Sequence, residues 1–159
     1  MAESQNQGKN SGLPAGQVLD TCQRMIDCMR LDLTVTGSEE EGVLRINLTG
    51  ADRPCLLSNS ASLLNCLEYL LGRIYRGTRE EAAGVFLDSD GYWRHREAEL
   101  NLLAAMASEK VLAMKKPLGL QPMTPRERRI IHLALAGIEG VETRSSGDGD
   151  NRSITIYPS

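Results

Sequence analysis

Aromatic residues are scarce in this chain, at 4% of 159 residues with a single Trp and a single Phe. Proteins that hold single strands without sequence preference stack bases on rows of aromatic rings. Tyr75, Tyr92, Trp93 and Tyr157 are too few and too scattered for such a row. Any contact with nucleic acid is therefore expected to run through the backbone rather than the bases. Histidine is scarcer still, with only His95 and His132. Cys22, Cys28, Cys55 and Cys66 form no C-x-x-C pair, so the spacing that structural zinc needs is missing. Four unspaced cysteines fit a reducing compartment. No secretory leader pattern and no apolar run of bilayer length is found, so the chain reads as cytoplasmic, without membrane insertion. Also missing are a nucleophile elbow, an H-E-x-x-H pair, a Walker loop and a G-x-G-x-x-G turn. We expect no enzyme activity, no cofactor and no small-molecule substrate. Asp88-Ser89-Asp90-Gly91 opens like a calcium loop, but Tyr92 and Trp93 stand where a ligand and a glycine are required. It reads instead as a strand-to-helix turn with Asp90 as the cap.

What is present is ordinary for a folded protein: 41% hydrophobic and 25% charged residues, with a net charge of -3. That balance argues against coating a polyanion by bulk charge. The charge is unevenly spread, with 8 Lys and Arg against 13 Asp and Glu in residues 1–90, and 10 against 8 in residues 91–159. A polyanion would meet the second half, and only where its cations cluster.

Along the chain, residues 1–14 are polar and lack an apolar period, which predicts a disordered tail. Val18, Leu19, Cys22, Met25, Ile26 and Met29 recur at helical spacing. Leu31–Val35 and Leu44–Leu48 alternate about a polar turn at residues 37–42, which predicts a hairpin. A short helix entered at Pro54 leads into a stronger one, with Leu63, Leu64, Leu67, Leu70, Leu71 and Ile74 turned to the sheet. Gly84–Asp88 is a short strand. A long helix from Tyr92 to Met114 carries Leu100, Leu103, Ala107, Val111 and Met114 on one side. It either links two domains or belongs wholly to the second. Leu118–Pro122 reads as a strand, Pro125–Ala136 as a helix, and Val141–Ser146 with Arg152–Tyr157 as a closing hairpin.

The helix at Pro125 is the most informative element. Thr124 is placed to cap it, Pro125 to occupy its first position, and Glu127 to close a capping box. Arg128 and His132 are four residues apart and share a face, with Ile130 and Ala134 roughly opposite. That arrangement would bury the isoleucine side and turn the cationic pair to solvent or ligand. An arginine fork beside an imidazole near a helix N-terminus suits a phosphate. Arg126 and Arg129 flank the pair, while Arg144 and Arg152 sit on the two arms of the closing hairpin. Lys115 and Lys116 end the long helix, where they complement its dipole.

The run Asp90-Gly91-Tyr92-Trp93-Arg94, then Leu120-Gln121-Pro122-Met123, Arg128-Arg129-Ile130-Ile131-His132 and Gly140-Val141 resembles the C-terminal half of the Jag family. In that family this portion is an R-3-H domain that binds single-stranded nucleic acid, preceded by a type II KH domain. The resemblance implies an α+β chain: a KH-like domain over residues 15–89 in the order α-β-β-α-α-β, then an R-3-H domain over 90–159 with two helices and a three-stranded sheet. The expected partner is single-stranded RNA or DNA, held by Arg128, His132, Arg129, Arg126, Arg144 and Arg152. Another KH protein, or a second copy of the chain, is a further candidate partner. A KH domain clamps its strand with a G-x-x-G loop, and the matching residues here are Ser58-Asn59-Ser60-Ala61, without either glycine. Ser58, Ser60 and nearby Arg53 could still reach a phosphate. The degenerate loop and the acidic first half leave a second reading open, a protein-interaction module whose nucleic-acid role has decayed.

Overall fold

The computed structural model describes residues 14–76 and 84–159; most of the polar tail lies outside them. The chain is α+β and divides into two compact units at Asp90 and Gly91. The long helix belongs to the second of them.

In the first unit, α1 (Ala15–Cys28) is followed by β1 (Thr34–Glu40), β2 (Val43–Thr49), α2 (Arg53–Arg76) and β3 (Gly84–Asp88). α2 is broken at residues 58–61 into two helices, so the order is α-β-β-α-α-β. β1 and β2 run antiparallel, with Thr34 opposite Thr49. β3 pairs parallel to β2 on its other side. The hairpin turn is shorter than the sequence suggests. Gly37–Glu40 is strand, and the chain reverses at Glu41 and Gly42, both with positive φ. Such a two-residue turn matches the twist of its strands. Gly37 itself is needed for packing, because a Cβ there would meet the Arg45 carbonyl at 2.5 Å and Leu19 at 2.8 Å.

The core of this unit gathers Val18, Cys22 and Ile26 of α1, Leu44, Ile46 and Leu48 of β2, and Leu64, Leu67, Leu71 and Tyr75 of α2. Leu70, Met29 and Cys66 are exposed rather than packed. Burial pushes the Cys22 thiol up to about 11, because a thiolate there would lose its hydration.

The second unit holds α3 (Tyr92–Met114), β4 (Leu118–Gly119), α4 (Pro125–Leu135), β5 (Val141–Ser146) and β6 (Ser153–Pro158). Its sheet runs β4-β6-β5, antiparallel throughout, with Val141 opposite Pro158 and Leu118 opposite Ile156. Gly91, in the left-handed region, precedes α3, and no side chain caps it; Asp90 does not serve there. Leu100, Ala104, Ala107 and Val111 of α3 pack with Ile131 and Leu135 of α4 and Ile154 and Ile156 of β6. Leu103 and Met114, read from the sequence as core, are exposed. Between Leu100 and Val111 the core side of α3 is made of the small residues Ala104, Ala107 and Ser108, which let its neighbours approach closely there.

Candidate nucleic-acid interface

α4 begins as its sequence requires. The Thr124 side chain accepts from the Glu127 amide at 3.3 Å, and the Glu127 carboxylate accepts from the Thr124 amide at 2.8 Å. Glu127 is fully buried. Its carboxylate also accepts from Arg96 Nε of α3 at 2.8 Å, while Arg96 Nη1 meets Glu99 at 3.1 Å. Burial lowers the Arg96 pKa, but the bonds to Glu127 and Glu99 outweigh it and raise the net value. The guanidinium stays charged. One buried carboxylate thus caps α4 and ties it to α3.

The buried side of α4 is centred on Glu127, Ile131 and Leu135, not on Ile130 and Ala134, which are only partly buried. The helix is rolled toward the cationic pair because it must touch α3 on one flank and β5 on the other. Arg128 and His132 are consequently half-buried at the helix–sheet seam instead of facing open solvent. Arg128 Nη1 donates to the Met123 carbonyl at 2.7 Å and reaches the Arg152 carbonyl at 3.5 Å. Among the described residues the guanidinium is engaged through Nη1 alone, so Nε and Nη2 keep donors for a ligand. His132 is more fully occupied. Nδ1 lies 2.6 Å from Thr143 Oγ1 and Nε2 lies 3.1 Å from Ser145 Oγ. Hydroxyls can donate or accept, so they satisfy either tautomer of the ring.

Thr143 and Ser145 were not legible as site residues. Their one local sign is the two-residue spacing that sets both on the same side of β5. The same alternation turns Arg144 to the other side of the sheet. There it pairs with Glu142 through two bonds of 3.2 Å and lies 5.4 Å from the Tyr157 ring. The Glu142 carboxylate holds its pKa up. Arg126 sits on the other flank of α4, 3.9 Å over the Trp93 ring. Arg129 and Arg152 are exposed. Of the six residues singled out, the fold gathers Arg128, His132 and the Arg152 main chain at one seam. Arg126 and Arg144 point to separate surfaces.

In the first unit the G-x-x-G position keeps a glycine-like backbone without glycine. Asn59, Ser60 and Ala61 have φ of 49°, 57° and 57°. Ser58 Oγ donates to the Cys55 carbonyl at 2.8 Å. Arg53 is committed elsewhere: its Nε and Nη2 each donate to Ser89 at 2.9 Å, and Nη1 pairs with Asp90 at 3.3 Å. Ser89 is buried, and its hydroxyl donates a hydrogen bond to the Leu48 carbonyl at 2.6 Å. Arg53 therefore braces the turn into residue 90 and does not serve the loop.

A capped helix carrying R-x-x-x-H against a three-stranded antiparallel sheet is the arrangement of an R-3-H domain, and residues 98–158 match that domain. The second unit therefore carries an R-3-H domain. The chain is also similar to proteins named RNA-binding protein KhpB. It is 32% identical to that of Clostridium symbiosum over 142 residues, covering 88% of this chain and 64% of that protein. The Bacillus subtilis protein is 32% identical over 124 residues, covering 77% and 60%, and that of Streptococcus pneumoniae strain D39 is 22% identical over 142 residues, covering 89% and 43%. The chain thus spans less than two thirds of the length of these relatives. No helix among the described residues is long and apolar enough to cross a membrane.

Proposed function

We propose that this chain binds single-stranded RNA or DNA through its R-3-H unit and has no enzyme activity. Arg128 carries the reading: a guanidinium pinned by Nη1 to the Met123 carbonyl, half-buried, with its other donors uncommitted among the described residues. Such an anchored fork makes a charge-assisted contact with a phosphate at little further loss of side-chain freedom. His132 acts mainly as the clasp that holds β5 against α4, and exposed Arg129 and Arg152 add local positive charge. Arg126 and Arg144, on other surfaces, belong to the contact only if the strand wraps the unit. The names of the relatives support RNA as the ligand, and a cytoplasmic location fits it.

The first unit we read as a type II KH domain over residues 15–89, on the order of its elements and its mixed sheet, with the R-3-H unit over 90–159. Its loop at Ser58–Ala61 offers neither glycine nor cation, so it serves as scaffold more than clamp. The test is fluorescence anisotropy on short single strands and duplexes of matched length across salt concentrations. Single strands should bind more tightly. If about two to four phosphates are neutralised, the log–log salt slope should be about −1.4 to −2.8. Equal or tighter binding to the duplex would refute the proposal.

A further inference from the structure

α3 turns one side into the core through Leu100, Ala104, Ala107 and Val111. Its opposite side carries Leu102 and Met106, 63% and 62% exposed and four residues apart. Large apolar side chains gathered on one solvent face make it a candidate contact surface. What lies beside them selects the occupant. Glu99 and Lys110, both exposed, are eleven residues apart, which is close to three full helical turns. They therefore lie on one flank of the apolar pair, an acid before it and a base after it, nearly equidistant from its midpoint.

We infer that this face of α3 pairs with the same face of a second copy of the chain, the two helices antiparallel about a two-fold axis between Leu102 and Met106. The axis brings each Leu102 to the other copy's Met106 and each Glu99 to the other copy's Lys110, closing two identical ion pairs beside an apolar centre. A two-fold contact of this kind is self-complementary and stops at the dimer. A parallel pairing would set each Glu99 across from the second copy's Ala98 and would not form the Glu99–Lys110 pair. Glu109 falls on the opposite flank, across from the second copy's Ala98, where it opposes no acid. Glu99 already holds Arg96, and its second oxygen remains for Lys110. One helix pair buries less than about 1,200 Å², the size of weak and transient contacts, so the dimer is a weak one. The inference does not depend on nucleic-acid binding.

Sedimentation equilibrium of the full chain from about 1 µM to about 500 µM tests it directly. The parent should pass from monomer to dimer. Met106→Arg should raise Kd at least roughly tenfold. Glu99→Lys and Lys110→Glu should each be monomeric alone, because each sets like charges together. Mixed in equal amounts, these two should dimerise again, since the mixture restores both ion pairs, one with its original sign and one reversed. Melting curves establish that each variant is folded, and Met106→Arg, away from the Arg96 bond, serves if Glu99→Lys is not. A parent that stays monomeric overturns the inference and leaves the face to a different protein. So does association that survives Met106→Arg, or a mixture no more associated than its components.

Discussion

Replacing Arg128 by alanine separates what this residue does for the fold from what it does for a ligand. In the fold it supplies one strong bond, Nη1 to the Met123 carbonyl at 2.7 Å, and one long contact to the Arg152 carbonyl at 3.5 Å. A bond from a charged donor is worth about 1.5–3 kcal/mol when buried. Arg128 is only half-buried and the Met123 carbonyl can recover water, so roughly 1 kcal/mol is expected, or about 4–8 °C in Tm for a unit of this size. A phosphate gripped by Nε and Nη2 is a separate loss of about 1.5–3 kcal/mol, or about 10- to 150-fold in Kd. Removing one phosphate contact should also flatten the salt slope by about 0.7. Arg128→Lys should regain part of the affinity without the fork and lose the Met123 bond. Calorimetry gives the first number, and anisotropy titrations over a salt series give the other two. The slope decides the matter, because a residue acting only through the fold lowers affinity without changing the count of phosphates. An Arg128→Ala protein that is folded and binds with unchanged affinity or unchanged slope refutes the assignment.

Further outcomes follow from other contacts. His132→Ala should lower Tm by roughly 4–8 °C, as two hydroxyls lose their partner, and should weaken binding less than Arg128→Ala does; equal melting of variant and parent would remove the clasp role. Glu127→Ala deletes the capping box and leaves Arg96 with Glu99 alone, so about 2–4 kcal/mol is lost and the R-3-H unit melts roughly 10–20 °C lower; a shift under about 4 °C would contradict the buried pair. Ser60→Gly should raise the melting temperature of the first unit slightly, by relief of about 1–2 kcal/mol of left-handed strain less the entropy glycine adds to the unfolded chain, and a fall would refute that backbone. Because burial raises the Cys22 thiol to about 11, its thiolate is suppressed at pH 8; alkylation of the native protein should label Cys28, Cys55 and Cys66, which are exposed, with Cys22 reacting only on unfolding, as intact mass will show.

Elements whose cause is local were legible in the sequence. The start of α4 rests on Thr124, Pro125 and Glu127 within four consecutive residues, and the capping box forms. The order α-β-β-α-α-β and the closing hairpin also emerge from periodicity and turn residues. Errors arise where burial is decided elsewhere. Gly37–Glu40 is polar, but β1 is an edge strand and an edge needs no apolar pattern to pair. On α3 the large residues Leu103 and Met114 drew attention, while the helix buries Ala104, Ala107 and Ser108, whose size reflects the close approach of α4. On α4 the buried side follows contacts with both α3 and β5, which no count along one helix reveals. The partners of His132 lie 11 and 13 residues away. Ser89, which takes two bonds from Arg53, lies 36 residues away.

The spacing R-x-x-x-H acquires a structural cause from these contacts. Both side chains leave the same flank of α4 and reach the closing hairpin at two heights: Arg128 at the Arg152 carbonyl before β6, His132 at the two hydroxyls of β5. One turn of helix separates the residues, and that separation lets a single flank stitch both arms of the hairpin. The pair thus docks the helix first, and among the described residues Arg128 is the one of the two that keeps donors to spare. If so, a ligand contacts the seam at its arginine end, beside the start of β6, and His132 tunes that contact through the position of β5. Thr143→Val would then reproduce most of the His132→Ala loss in affinity, although Thr143 carries no charge and the imidazole is still present. Binding by Thr143→Val equal to the parent, with His132→Ala impaired, would instead put the imidazole itself on the ligand.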